Sequence, residues 1–255
     1  MTERPPTVVV NDLHVTYRVK VPGRGRRTTR EVPALRGVDL VAREGESIGV
    51  VGRNGSGKST LLRSIAGLQT PTRGRVFADG HPSLLSVNAA LIGDLPGARN
   101  IVLGGLALGL TPRQVAAKYD EIAEFAGLGD FLQHPMRTYS SGMQARLRFA
   151  IATAVPQRVL LVDEALATGD AEFRERGEER IAALRAQAGT VFLVSHTLAE
   201  IERSCDRCVW IEGGRVRLDG PASTVLGAYR EVTKSGRLGR LGRPGRGRAQ
   251  GGGSA

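Results

Sequence analysis

Residues 52–60 read GRNGSGKST and stand between the apolar run SIGVV and the stretch LLRSIAGL. The spacing G-x-x-x-x-G-K-S is typical of loops that hold nucleoside triphosphates, because glycines let several backbone N–H groups point at one anion. The N-terminal end of a following helix adds positive charge. We expect Lys58 to reach the outer phosphates and Ser59 to give its hydroxyl to Mg²⁺. The loop residues predicted to bind ATP are Gly52, Arg53, Asn54, Gly55, Ser56, Gly57, Lys58, Ser59 and Thr60.

A second group of candidate residues follows two apolar runs further along the chain. RVLLVDE ends in Asp163 and Glu164, and GTVFLVSH ends in His196. Asp163 is predicted to hold Mg²⁺ through water, and Glu164 to orient or activate the water that attacks the γ-phosphate. His196 is predicted to contact the γ-phosphate, although a lone histidine is more often structural. The predicted catalytic residues are therefore Glu164, His196 and Lys58.

The segment YSSGMQARLRFA, from Tyr139 to Ala150, begins with a Ser/Gly turn and continues as a helical pattern. Ser140 and Ser141 are candidate N-caps. Hydroxyls and free N–H groups at a helix start also form an anion site, which would be separate from the phosphate loop. One chain with two such half-sites favours a head-to-tail dimer, in which each subunit closes over the ATP of the other.

The order GRNGSGKST, YSSGMQ, VLLVDEALATGD, VSH resembles the nucleotide-binding subunit of ABC transporters over about Val8 to Tyr229. The resemblance implies an α/β fold, with a RecA-like core around the phosphate loop, an antiparallel β subdomain and a helical subdomain. It places Tyr139–Met143 at the signature usually written LSGGQ, where Ser140 and Gly142 match and Tyr139, Ser141 and Met143 depart. The further ATP-binding residues that it implies are Tyr17, which would stack on adenine, Asp170, at the contact between subunits, and Ser140, Ser141, Gly142 and Met143.

One expected feature of the family has no clear counterpart. The glutamine usually found between the two lobes is missing from LLSVNAALIGDLPGARNI, and its role is not transferred to the nearby Asn88. The coupling of catalysis to a membrane partner is therefore less defined by the sequence than the ATP site.

The combination of YSSGM, DEALATGD and LPGARNIVLGGLALGL resembles the subfamily that exports cell-envelope polysaccharides such as O-antigen, teichoic acid or galactan. The resemblance implies a homodimer of ATP-binding subunits beside a separately encoded membrane permease. Two alternatives stay open: a transporter of another cargo such as a drug or lipid, and an ABC ATPase that acts on DNA or ribosomes. The last usually has two fused domains or long coiled-coil insertions, and neither is seen here.

Charge and hydropathy indicate whether the chain binds nucleic acid or crosses a membrane. The net charge is +11, of which the Gly/Arg-rich segment 234–255 supplies +6, and a second basic cluster lies between Arg18 and Arg30. Neither carries interleaved aromatics, which argues against nucleic acid. The longest mostly apolar stretch, IVLGGLALGL, is half of the ~20 residues that a membrane-spanning helix needs. With no signal peptide recognised and only two cysteines, we expect peripheral binding at the cytoplasmic face of the inner membrane.

These residues need particular elements to position them. TVVVNDLHVTYRV is predicted to be an edge or hairpin strand, followed by a basic loop up to Pro33; SIGVV, RVLLVDEAL and GTVFLVSH are predicted to be buried parallel strands. Helices are predicted from about Ala98 to Phe131, with Thr111 as an N-cap. The predicted ATP-binding domain is 1–233, with a helical subdomain at about 91–155, and 234–255 is predicted to be a disordered tail. Cys205 and Cys208 are interpreted as two small buried residues rather than a zinc site.

Overall fold

The computed structural model describes residues 4–21, 28–84, 91–155, 157–163, 171–195 and 197–234. Strands and helices alternate from α4 to β8 and occur in short consecutive groups before that. In chain order they are β1 Pro6–Val21, β2 Thr28–Arg43, β3 Ser47–Val51, α1 Lys58–Ile65, β4 Arg73–Ala78, β5 Ser83–Leu84, α2 Gly97–Ala107, α3 Pro112–Ala126, α4 Ser141–Ala152, β6 Val159–Asp163, α5 Ala171–Gln187, β7 Thr190–Val194, α6 Leu198–Ser204, β8 Arg207–Glu212, β9 Arg215–Pro221 and α7 Ala222–Lys234. Two short 3-10 helices, Gly129–Gln133 and Met136–Thr138, separate α3 from α4.

The larger sheet has the strand order β5-β6-β7-β3-β8-β9. Its first five strands run parallel, and β9 pairs with β8 in the antiparallel direction. Strands β3, β6 and β7 are buried along almost their whole length, which confirms the prediction from their unbroken apolar runs. Because parallel strands end at one edge of a sheet, β3 and β6 deliver the phosphate loop and Asp163 to the same side of the molecule.

The smaller sheet is antiparallel, in the order β2-β1-β4. The hairpin of β1 and β2 confirms part of the prediction, but β1 is the central strand and the prediction of an edge strand was wrong. The predicted basic loop is also too long, since Thr28–Pro33 belongs to β2 and pairs with β1 up to Val21. Exposed Arg30 and Glu31 resemble loop residues in sequence, and Pro33 is tolerated because β2 is an edge strand.

The segment between β5 and β6, two neighbouring strands of the larger sheet, folds as helices from Gly97 to Ala152. Helix α3 begins as predicted at Thr111, whose hydroxyl caps the backbone N–H of Gln114 in a reciprocal capping box. The helical region has its own core, which contains Ile101, Ile122, Leu147 and Ile151, each with at most 1% of its surface exposed. The boundaries 91–155 for a helical subdomain remain a prediction.

Three phenylalanines join this helical region to the core. Phe125 of α3, Phe149 of α4 and Phe173 of α5 have ring centroids 5.5–5.9 Å apart, in stacked and edge-on arrangements. Arg180 of α5 lies over the Phe125 ring and forms an ion pair with Glu121 of α3. The aromatic cluster therefore sets how α3 and α4 lie against α5.

Cys205 and Cys208 lie where α6 passes into β8, and both are buried, as predicted. Burial raises the pKa of both thiols, that of Cys208 to about 12. Gly49 of β3 lies against this region, since a Cβ there would stand 2.2 Å from Cγ2 of Ile201. Small residues at these positions allow α6 to pack closely on the sheet.

No helix in the described ranges is both long and apolar enough to cross a membrane. Of the predicted tail, Lys234 is the last residue of α7, and 235–255 lie outside the described residues.

Candidate functional site

Three glycines of the phosphate loop have positive φ, and at two of them a side chain would also overlap neighbouring atoms. Gly52, directly after β3, has φ 153°, and a Cβ there would lie 2.2 Å from the carbonyl oxygen of Ile211. Gly57, the N-cap of α1, has φ 113°, and its Cβ would lie 2.8 Å from the carbonyl oxygen of Ala34. Side chains at either position would fill space that the loop backbone needs, so the sequence pattern has a direct steric cause.

Ser56 anchors the middle of this loop. Its backbone N–H donates to Arg53 O at 3.1 Å, and its carbonyl accepts from Gly214 N at 3.0 Å, in the turn between β8 and β9. Its hydroxyl is buried and finds no hydrogen-bond partner within the described residues. A buried hydroxyl without a partner is costly, so a ligand oxygen at this loop would satisfy it.

Lys58 folds back over the loop. Its Nζ donates to Gly52 O at 2.8 Å and to Arg53 O at 3.2 Å. Burial lowers the pKa of Lys58, and the carboxylate of Asp163 acts in the opposite direction. The ammonium group is thus already held over the backbone of the phosphate loop.

A cavity of about 340 Å³ opens beside the loop. It is lined by loop residues together with Tyr17, Ala34, Asp163 and Val194. The Tyr17 hydroxyl lies 3.3 Å from Oγ1 of Thr60, which places the ring of β1 at the border of the loop. The fold therefore brings together three of the predicted groups: the phosphate loop, the aromatic residue and the first carboxylate.

The donor set of this cavity fits a magnesium nucleotide. The glycine-lined loop and Lys58 suit phosphate oxygens, and the start of α1 adds positive partial charge. Ser59 and Asp163 supply the hydroxyl and carboxylate oxygens that Mg²⁺ prefers. Sequence reasoning missed Ala34 and Val194, because backbone and apolar lining carry no chemical signature.

Three predicted residues, Glu164, Asp170 and His196, lie outside the described residues. Asp163, the last residue of β6 and directly before Glu164, pairs with Val194, the last residue of β7 and two positions before His196. Both positions line the cavity.

The predicted second half-site lies elsewhere in the chain. Ser140 is the N-cap of α4, as predicted, and its Oγ accepts from Met143 N at 3.2 Å. Ser141 is the first helical residue, and Gly142 and Met143 complete the first turn. None of the four lines the cavity at the phosphate loop. Within one subunit the structure therefore keeps the two half-sites apart.

Comparison with known proteins relates this geometry to a family. The family model described as "ABC transporter" matches residues 35–167. The O-antigen export system ATP-binding protein RfbB of Myxococcus xanthus is 45% identical over 82% of this chain and 49% of its own length. The teichoic acids export ATP-binding protein TagH of Staphylococcus saprophyticus is 39% identical over 87% of this chain and 88% of its own length. The chain thus spans about half of the Myxococcus protein and most of the Staphylococcus protein.

Solved structures show the same fold. A dimeric ATP-binding cassette in a post-hydrolysis state, bound to ADP and phosphate, superposes with a TM-score of 0.65 at 23% identity. The superposition covers 84% of this chain and 98% of the other.

Proposed function

Because the chain belongs to the ABC transporter family, we propose that it is the ATP-hydrolysing subunit of a transporter that exports a lipid-linked cell-envelope polysaccharide. The observation that carries the ATPase part is the meeting of the phosphate loop, Tyr17 and Asp163 at one cavity. The polysaccharide part is supported by relatives whose names specify O-antigen and teichoic acid export.

In the proposed reaction the protein mainly positions charges, since phosphoryl transfer to water needs little covalent chemistry from the enzyme. Lys58 and the loop amides stabilise negative charge on the phosphates, and Tyr17 stacks on the adenine. Ser59 and Asp163 would hold Mg²⁺, and the ion would supply positive charge to neutralise the phosphates. Glu164 orients the attacking water, and His196 contacts the γ-phosphate.

The proposed active form is a homodimer. Ser140 and the start of α4 are separate from the phosphate loop of their own subunit, so they are available to close over the ATP of a second subunit. Asp170 contributes to the contact between subunits. Closure around two ATP molecules would move a separately encoded permease, with this subunit bound peripherally at the cytoplasmic face of the inner membrane.

The ATPase part is tested with Glu164→Gln. This variant should bind ATP, accumulate as an ATP-bound dimer in size-exclusion chromatography and release little phosphate. The control is Glu172→Gln, an equivalent change at an exposed position in the first turn of α5. Brisk hydrolysis by Glu164→Gln would remove Glu164 from its proposed role.

The export part is tested by depleting the protein in its own host and locating the lipid-linked glycan. Polymer that accumulates on the cytoplasmic side while the wall stays undecorated would support the proposal, and its analysis would identify the cargo. Normal glycan delivery under complete depletion would refute polysaccharide export and leave the ATPase assignment intact.

A further inference from the structure

The tyrosine that precedes the N-cap of α4 is buried, and its hydroxyl, backbone N–H and carbonyl all form hydrogen bonds. Tyr139 is 5% exposed, and its hydroxyl donates to Phe131 O at 2.5 Å, in the first of the two 3-10 helices. Its backbone N–H donates to Met136 O at 3.1 Å, and its carbonyl accepts from Nε2 of Gln144 at 3.3 Å. The residue next to Ser140 therefore has little conformational freedom.

The same hydroxyl lies against the start of α2. A Cβ on Gly97 would stand only 2.3 Å from the phenolic oxygen. Burial raises the pKa of Tyr139, and the backbone of Gly97 beside the hydroxyl acts in the opposite direction. One hydroxyl thus touches both α2 and the 3-10 helix Gly129–Gln133, and a side chain at position 97 would displace it.

The turn before α2 is organised by a second buried polar group. Asn100 is 0% exposed, and its Oδ1 accepts from Ile92 N at 2.8 Å. Its Nδ2 lies 3.0 Å from Ile92 O and 3.2 Å from the carbonyl oxygens of Leu95 and Pro96. A fully buried amide with this many partners fixes the turn 92–96 as one unit.

The turn is joined to the segment that leads into Tyr139. Met136 N donates to Leu95 O at 3.0 Å, and Arg137 N donates to Gly93 O at 2.8 Å. Gly97 N donates to His134 O at 3.3 Å. Hydrogen bonds therefore connect the turn 92–96, the 3-10 helix Met136–Thr138 and Tyr139 without a break.

We propose that Tyr139, through its hydroxyl, is a positioning residue that fixes Ser140 relative to the start of α2 and the turn 92–96. This inference rests on the proposed function, because it gives Ser140 its place over the ATP of a second subunit. The leucine usual at this signature position has no hydroxyl, so the connection is specific to chains with tyrosine here.

The test is Tyr139→Phe in the full chain, which removes the hydroxyl and keeps the ring. We expect kcat for ATP hydrolysis to fall roughly tenfold, because the hydrogen bond from the hydroxyl to the carbonyl of Phe131 is lost and Ser140 loses its fixed position. Binding of a fluorescent ATP analogue to the phosphate loop should stay within about twofold of wild type, since no atom of that loop changes. Thr153→Val, which deletes a buried hydroxyl that bonds only to main-chain oxygens of α4, should leave kcat unchanged.

A second variant tests the contact between the Tyr139 hydroxyl and the start of α2. Gly97→Ala places a methyl group against the hydroxyl and should lower kcat in the same way. In the double variant the methyl no longer meets a hydroxyl, so the two losses should be less than additive.

The outcomes separate this inference from the proposed function. Wild-type kcat in Tyr139→Phe, or fully additive losses in the double variant, would overturn the positioning role while leaving the ATPase assignment in place. A wild-type chain that hydrolyses no ATP would overturn the proposed function and this inference with it.

Discussion

At the scale of single residues, the phosphate loop depends on two glycines whose lack of a side chain lets neighbouring strands approach closely. Gly57 lies against Ala34 and Leu35 of β2, and Gly52 lies against β8, so the loop is pressed between two strands from different sheets. These two glycines thus allow the loop to curve and also allow it to pack closely against β2 and β8. Gly55 differs, because nothing lies within 4 Å of a Cβ built there.

This difference predicts unequal effects of alanine. Gly57→Ala should destabilise the protein by at least about 3 kcal/mol, because strain at φ 113° is added to overlap with Ala34 O and with Leu35 Cδ2. Gly55→Ala, at φ 76° and without overlap, should cost about 1–2 kcal/mol. Urea unfolding measures both, and equal losses would contradict the steric explanation.

The sequence was sufficient to predict site residues that form contiguous patterns. The phosphate loop and Asp163 could be found because spacing and strand order identify them directly. The role of the Tyr139 hydroxyl could not be found, because Gly97 is distant in sequence and the partner at Phe131 is a main-chain carbonyl, which any residue provides. Asn100 had one available signal, a lone amide beside the apolar run that follows it, but its four partners are all main-chain groups.

At the scale of elements, the contact between α3 and α5 combines the aromatic cluster with an ion pair. The guanidinium of Arg180 donates a hydrogen bond to Glu121 and lowers the pKa of that carboxyl, and Lys118 acts in the same direction. A carboxyl whose pKa is lowered on folding contributes stability above its unfolded pKa, near 4.3, and loses it as the pH falls through the folded value.

Glu121→Gln should therefore be less stable than wild type at neutral pH, by no more than about 1 kcal/mol, because the side chain is 45% exposed. The difference should persist down to about pH 5 and shrink below about pH 4. Urea unfolding over this range measures it, with Glu124→Gln, exposed on the same helix, as the control. A difference that does not change with pH would show that Glu121 acts by packing and not by charge.

Element type was predictable where the local signal was strong, as for the unbroken apolar runs of β3, β6 and β7 and the capped start of α3. It failed where pairing and not composition decided the outcome. Thr28–Pro33 looks like a basic loop but is drawn into β2 by its partner strand. β5, Ser83–Leu84, is only two residues long and leaves no pattern to detect.

At the scale of the whole molecule, charge and packing are distributed unequally. Five arginines of a chain with net charge +11 follow Lys234, the last residue of α7. The Gly/Arg composition of 235–255 predicts a segment that contributes no core. Helix α7 itself buries Val225 and Leu226 completely.

Truncation after Lys234 should thus leave kcat unchanged and the free energy of unfolding within about 0.5 kcal/mol of the full chain. Truncation after Pro221, which also removes α7, should prevent stable folding because it exposes the core around Trp210. Thermal unfolding of both chains measures the contrast. A marked loss of stability in the chain that ends at Lys234 would show that 235–255 pack on the domain.

The position of β3 in the larger sheet has a consequence for protein synthesis. This strand, which carries the phosphate loop, is flanked by β7 and β8, and both come from the last third of the chain. While the ribosome is still adding the helical region, the loop has its sequence but neither neighbouring strand. A nascent chain therefore acquires its nucleotide site late, after Glu212 has emerged from the exit tunnel, and until then SIGVV is an exposed apolar strand for chaperones to cover.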